Sequence, residues 1–140
     1  MKIQASEFRS SGLLALGLPV ISCLALSACV VENDAPIDRA RYAPIETRPL
    51  DNNLVQFTAK IRGQQPQDRV IAFAECGAAQ YALIRGYGFA RHVRTTVYFE
   101  ASHSVADAIY TISPSLPRGV KTIDAEVVVD ACREQGIPTV

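Results

Sequence analysis

Residues 55–86 read VQFTAKIRGQQPQDRVIAFAECGAAQYALIRG, and a change of period inside this stretch decides the fold. Val55, Phe57, Ala59 and Ile61 alternate with Gln56, Thr58, Lys60 and Arg62, a period of two that buries one face of a strand and wets the other. Residues 63–67 form the turn. From Pro66 to Gly86 the apolar positions become Val70, Phe73, Ala74, Gly77, Tyr81 and Ile84, the i, i+3, i+4, i+7 spacing of one helical face. Asp68 suits the positive N-terminal end of that helix and Arg85 the negative C-terminal end, while Gly86 or Gly88 supplies a left-handed cap.

Downstream, the alternation predicts three more strands. In residues 89–100 Val93, Val97 and Phe99 are expected inward, against His92, Arg94, Thr96 and Tyr98. A turn at 101–104 leads to a strand over 105–113. After residues 114–119 a last strand is expected over 122–129, through Ile123, Ala125, Val127 and Val129. The expected class is α+β: a small β-α-β-β-β domain over residues 51–140, its four-stranded sheet covered on one face by one long helix. The other face is then polar and free.

Upstream, Lys2 and Arg9 precede an uncharged stretch from Ser10 to Val31 in which leucines supply most of the apolar character, the layout of a secretory signal. It ends in Leu26-Ser27-Ala28-Cys29, which resembles the bacterial lipobox. The resemblance implies a signal peptide over 1–28, cleavage between Ala28 and Cys29, and lipidation of the Cys29 thiol. Gly12, Gly17 and Pro19 argue against the alternative, an uncleaved membrane-spanning helix. Residues 29–50 carry Pro36, Pro44 and Pro49 without apolar periodicity and read as a flexible tether. The acyl chains would then hold the protein to a membrane. Val30, after the lipidated Cys, implies by family analogy onward transport to the outer membrane, with the domain on the periplasmic face.

Cys76 and Cys132 are the thiols that remain. An oxidising compartment pairs them, and a disulfide is expected in preference to two separate buried thiols.

After Cys29 there are 12 Lys and Arg against 13 Asp and Glu, so no global charge pulls the chain to nucleic acid. Residues 60–94 are locally basic, with six cations against Asp68 and Glu75, which suits an anionic surface such as lipid headgroups or polysaccharide, but the solvent sides of strands and helices carry such charges anyway.

Few catalytic patterns survive inspection. His92, His103 and the thiols have no metal-ligand spacing, so neither a metal site nor another cofactor is expected. Ser102-His103-Ser104 with Asp107 has the residue types of a hydrolase triad but crowds a hairpin turn and lacks a nucleophile elbow. Asp124 and Glu126, two apart on an expected strand, would share a face as an acid–base pair, but a solvated strand face looks the same. Gly86-Tyr87-Gly88 ends a helix where phosphate loops begin one. No catalytic residue is assigned.

The stretch Cys76-Gly-Ala-Ala-Gln-Tyr-Ala-Leu-Ile-Arg-Gly-Tyr-Gly-Phe-Ala-Arg91 resembles uncharacterised small lipoproteins of alphaproteobacteria, in which an alanine-rich helix ends in a Gly-aromatic turn before a strand. The resemblance implies an envelope protein without an assigned activity. The expected function is a non-enzymatic, membrane-anchored binding or structural module, whose partner is another envelope protein or an anionic surface. The alternative is a small hydrolytic or ligand-binding module using the polar sheet face.

Overall fold

In the computed structural model, which describes residues 38–140, a 3-10 turn at Arg39–Arg41 leads to strands Glu46–Pro49 (β1) and Leu54–Arg62 (β2). Helix Gln67–Ile84 (α1), strands Phe89–Glu100 (β3), His103–Ser113 (β4) and Thr122–Asp124 (β5), and helix Ala125–Glu134 (α2) follow. The strands make one antiparallel sheet in the order β1-β2-β4-β3-β5. α1 carries the chain from β2 across to β3, and β4 returns by a hairpin to fill the slot between them. Ala101 and Ser102 turn that hairpin with φ of 46° and 67°, the positive values a two-residue connection demands.

The alternation at 55–62 is realised as expected: Val55, Phe57, Ala59 and Ile61 are buried beneath α1. On the facing helix Val70, Phe73, Ala74, Ala78, Ala79 and Ala82 are buried, with Ala59, Ala90, Ala106 and Ala108 on the strands. Small side chains on both surfaces let helix and sheet approach closely, and the aromatic rings fill what remains. Phe57 packs edge-on against Tyr81 and Tyr110, with centroids 5.6 and 6.1 Å apart. Ile84, expected on the buried face, is the last residue of the helix and is 64% exposed. Gly86, at φ 77°, closes α1: its N–H donates to the Leu83 carbonyl and that of Tyr87 to the Ala82 carbonyl, which satisfies two of the last carbonyls of the helix.

Three expectations need correction. The last strand is not 122–129 but stops at Asp124, whose carboxylate accepts the N–H groups of Glu126 and Val127 at 3.1 and 3.3 Å and starts α2. Ala125, Val129 and Cys132, at i, i+4 and i+7, are the buried face of that helix, and Val127 is 65% exposed. The architecture therefore has two helices, not one, with α2 packed beside α1.

The sheet has five strands, not four, because β1 lies inside the segment expected to be tether. Ordered structure begins before Asp51. Ile45 packs into the space left by Gly77, where a Cβ would lie 2.5 Å from the Ile45 Cδ1, and Tyr42 meets Phe73 edge-on at 4.8 Å. β1 escapes the pattern because it is a short edge strand that ends in proline, a residue tolerated where one side of the strand pairs with nothing.

Finally, the inward set of β3 is not uniform along its length. The register shifts between His92 and Arg94, so Val93 is an extra residue in the ladder. Val93 is consequently 47% exposed, and Ala90 and His92 share the helix-covered face with Thr95 and Val97. Phe99, also expected inward, is 59% exposed.

Candidate functional site

The bulge at Val93 builds a cleft. It swings His92 to the side of the sheet covered by α1, where its ring meets Tyr110 edge-on at 5.3 Å and its Nε2 shares a 2.8 Å hydrogen bond with the Thr95 hydroxyl. The His92 N–H donates to the Lys121 carbonyl at 3.0 Å, tying the segment before β5 to the rim. Lys121 is held at φ 60°, a left-handed conformation that side chains with a Cβ rarely adopt. From α1 come Ile71 and Glu75, and β5 contributes Ile123. Together Ile71, Glu75, His92, Thr95, Tyr110, Lys121 and Ile123 line a cavity of about 430 Å³.

The electrostatics follow from this enclosure. Glu75 forms no ion pair among the described residues, and burial raises its carboxyl above the usual range. Tyr110 is 2% exposed, and burial, aided by the Glu75 charge, pushes its phenol far up. Burial, with the nearby Lys121 charge, lowers His92, so its imidazole is neutral at neutral pH. The cleft thus joins apolar walls to a carboxyl group, a phenol and a neutral imidazole, with an ammonium near the imidazole. These groups can hold a small polar ligand, but they do not form a nucleophile–base–orienter chain.

The opposite face of the sheet carries neither helix. By register Arg48, Gln56, Ile109 and Arg94 form one row across it, and Arg62 and His103 lie in another. Arg48, Arg62, Arg91 and Arg94 make no ion pair among the described residues, whereas Lys60 is held by Glu46 at 2.6 Å. That hydrogen bond and charge raise the Lys60 ammonium pKa. Asp107 is engaged by the Gln56 side-chain amide at 2.8 and 2.9 Å. Tyr98 is 41% exposed on the same face.

The residues weighed as catalytic scatter. Ser104 is buried on the helix side, donating to the Gly63 carbonyl and accepting from the Gln65 N–H. His103 bonds the Ala101 carbonyl, and Asp107 faces the other way. Asp124 caps α2 and Glu126 sits in its first turn, so they are not neighbours on a strand face. Among the described residues no three potential ligands gather around a metal position.

Cys76 and Cys132 are bonded, joining α1 to α2. Ala28 and Cys29 lie outside the described residues. Among the described residues no helix is long and apolar enough to cross a membrane.

Glu75, Tyr110 and Lys121 were not legible as a site. Glu75 alone left a trace, as the one charged residue between Arg69 and Arg85.

Comparison with known proteins agrees with the domain's observed limits. A family described as the YNQ4 C-terminal domain matches residues 42–136, from the first core aromatic to the cap of α2. An uncharacterised 26.9 kDa protein in the nqo8 5′ region of Paracoccus denitrificans is 31% identical over 87 residues, covering 62% of this chain. The chain spans about a third of that relative's length, the aligned part being 34% of it. No solved structure matches the chain. With the family match running through the whole core, this chain belongs to the YNQ4 C-terminal domain family.

Proposed function

We propose that the protein is a non-enzymatic envelope lipoprotein, anchored through acyl chains on Cys29, whose helix-free sheet face rests on the anionic headgroups of the membrane that holds it. The observation that carries this reading is the set of arginines on that face, Arg48, Arg62, Arg91 and Arg94, without ion-pair partners among the described residues. Each cation near an anionic lipid surface contributes about 1 kcal/mol, which Glu46, Glu100 and Asp107 partly offset. The face therefore adds a weak attraction of its own to the acyl anchor and orients the anchored domain. The signal-like segment and the Leu26-Ser27-Ala28-Cys29 motif support the anchor, and the Cys76–Cys132 bond suits an oxidising compartment. Transport to the outer membrane follows from Val30.

Two measurements test the reading. Cys29→Ala should abolish incorporation of labelled acyl chains and leave an unprocessed precursor; normal processing and membrane attachment would rule out the anchor. A lipid-free chain starting at Asp38 should cosediment with vesicles containing phosphatidylglycerol and not with phosphatidylcholine alone. Replacing Arg48, Arg62, Arg91 and Arg94 together by Gln should remove that difference. Equal sedimentation with both lipids, or an unchanged quadruple variant, would overturn the headgroup reading.

A further inference from the structure

The cleft between α1 and the bulged part of β3 lies on the side of the sheet opposite the arginines, and the membrane reading does not use it. It has two features that folding alone does not explain. Glu75 sets a carboxylate into a half-buried position without a cationic partner among the described residues, and burial raises its pKa, so ionising it there costs stability. Tyr110 is buried as a residue, and its hydroxyl, which makes no hydrogen bond among the described residues, is not sealed in the core but remains accessible, with Tyr110 lining the cavity. Phenylalanine would fill the core equally well, and a phenol is normally placed where it finds a partner.

The missing partner can be specified from the lining. A carboxylate with a phenol and a neutral imidazole in one lining favours an ammonium group. Lys121, whose charge is felt at His92, offers a cation on the rim for a carboxylate. Ile71 and Ile123 supply apolar wall. A volume of about 430 Å³ admits a molecule of amino-acid or dipeptide size.

We propose that the cleft lined by Glu75, Tyr110, His92 and Lys121 binds a small zwitterion with an apolar side chain, its ammonium on Glu75 and Tyr110 and its carboxylate toward Lys121. The ligand chemistry is shared by free α-amino acids and short peptides, and the test separates them.

The mature lipidated protein, held in lipid nanodiscs, is titrated calorimetrically with leucine, leucyl-leucine, leucine methyl ester and N-acetyl-leucine. Saturable heat with leucine identifies free amino acids as ligands, and with leucyl-leucine alone, peptides; either supports the site. The ester, which lacks the carboxylate, and the N-acetyl compound, which lacks the ammonium, should bind about tenfold more weakly or less. Glu75→Gln should weaken the zwitterion by about tenfold and leave the N-acetyl compound unchanged, and Lys121→Gln should spare the ester.

Tyr110→Phe keeps the ring packing and should also weaken the zwitterion. Arg62→Gln, on the other face, should bind as the parent does, so this outcome is independent of the headgroup reading. No heat with any of the four compounds, equal affinity for leucine and its ester, or zwitterion affinity unchanged in both Glu75→Gln and Tyr110→Phe would overturn the proposal. Circular dichroism of each variant confirms that losses of binding are read on folded protein.

Discussion

Cys76 in the middle of α1 is bonded to Cys132 near the end of α2, with their Cα atoms 6.0 Å apart across 56 residues of sequence. The bond fastens the second helix, which otherwise meets the sheet chiefly at β5. Closing a loop of that length restricts the unfolded chain by about 4 kcal/mol in the chain-entropy treatment. A chain starting at Asp38 should therefore show no free thiol when denatured without reductant, and reductant should lower its melting temperature. Cys76→Ala together with Cys132→Ala should reproduce that loss. Two titratable thiols in the denatured, unreduced sample would remove the bond and the fixed position of α2.

Core packing gives a second expectation, sharpened by the end of β5. Phe57 is fully buried between Tyr81 and Tyr110, so Phe57→Ala should cost about 3 to 5 kcal/mol. Val127 would have matched it as a residue of a fourth inward-facing strand. On the exposed side of α2 it should not: Val127→Ala should change stability by no more than about 0.5 kcal/mol. Denaturant midpoints of the two variants check both, and comparable losses would place Val127 back in the core.

The difference between these two residues shows what the sequence made legible. β2 and α1 each bury a single face over many residues, so their periods of two and 3.6 stand out against their polar neighbours. At 122–132 two periods overlap: Ile123, Ala125, Val127 and Val129 alternate, while Ala125, Val129 and Cys132 recur at helical spacing. The Asp124 side chain, a local cap and not a pattern, decides between them. The bulge at Val93 is still less visible, since one inserted residue reverses which side chains face inward without altering composition. The cleft depends on that bulge, and its other members come from α1, β4 and the segment before β5. Their neighbourhood is a property of sheet order, which no local stretch encodes. The disulfide pairing was readable because only two unlipidated thiols are expected in the mature chain, but not that it would bridge two helices.

The early start of the domain has its own consequence. Beginning the chain at Asp51 removes β1, the Ile45 side chain lying on Gly77 and the Tyr42 ring against Phe73. It leaves β2 as an uncovered edge, a template for intermolecular pairing. Such a chain should be less stable than one starting at Asp38 by at least about 3 kcal/mol, and should aggregate at lower temperature. Tyr42→Ala in the longer chain should account for part of the loss. Superimposable melting curves for the two lengths would show that 38–50 is only a spacer.

The last expectation concerns Glu75 and pH. Burial raises its folded-state pKa above that of the unfolded chain, so between the two values the folded protein holds more protons than the unfolded one. Stability associated with this group is therefore lost as pH rises from the ordinary glutamate range, about 4.3, through the raised folded value. Glu75→Gln removes the titration while nearly keeping the shape. Its melting temperature should match the parent near about pH 4, where Glu75 is protonated in the fold, and exceed it near about pH 7. His92 shifts the opposite way, since a buried neutral imidazole resists protonation and destabilises the fold as pH falls, but it is present in both proteins and cancels in the difference. The Tyr110 phenol stays protonated across this range and adds nothing. An offset between variant and parent that is the same at both pH values would mean that Glu75→Gln acts through packing, and that the carboxylate in the cleft carries no charge cost.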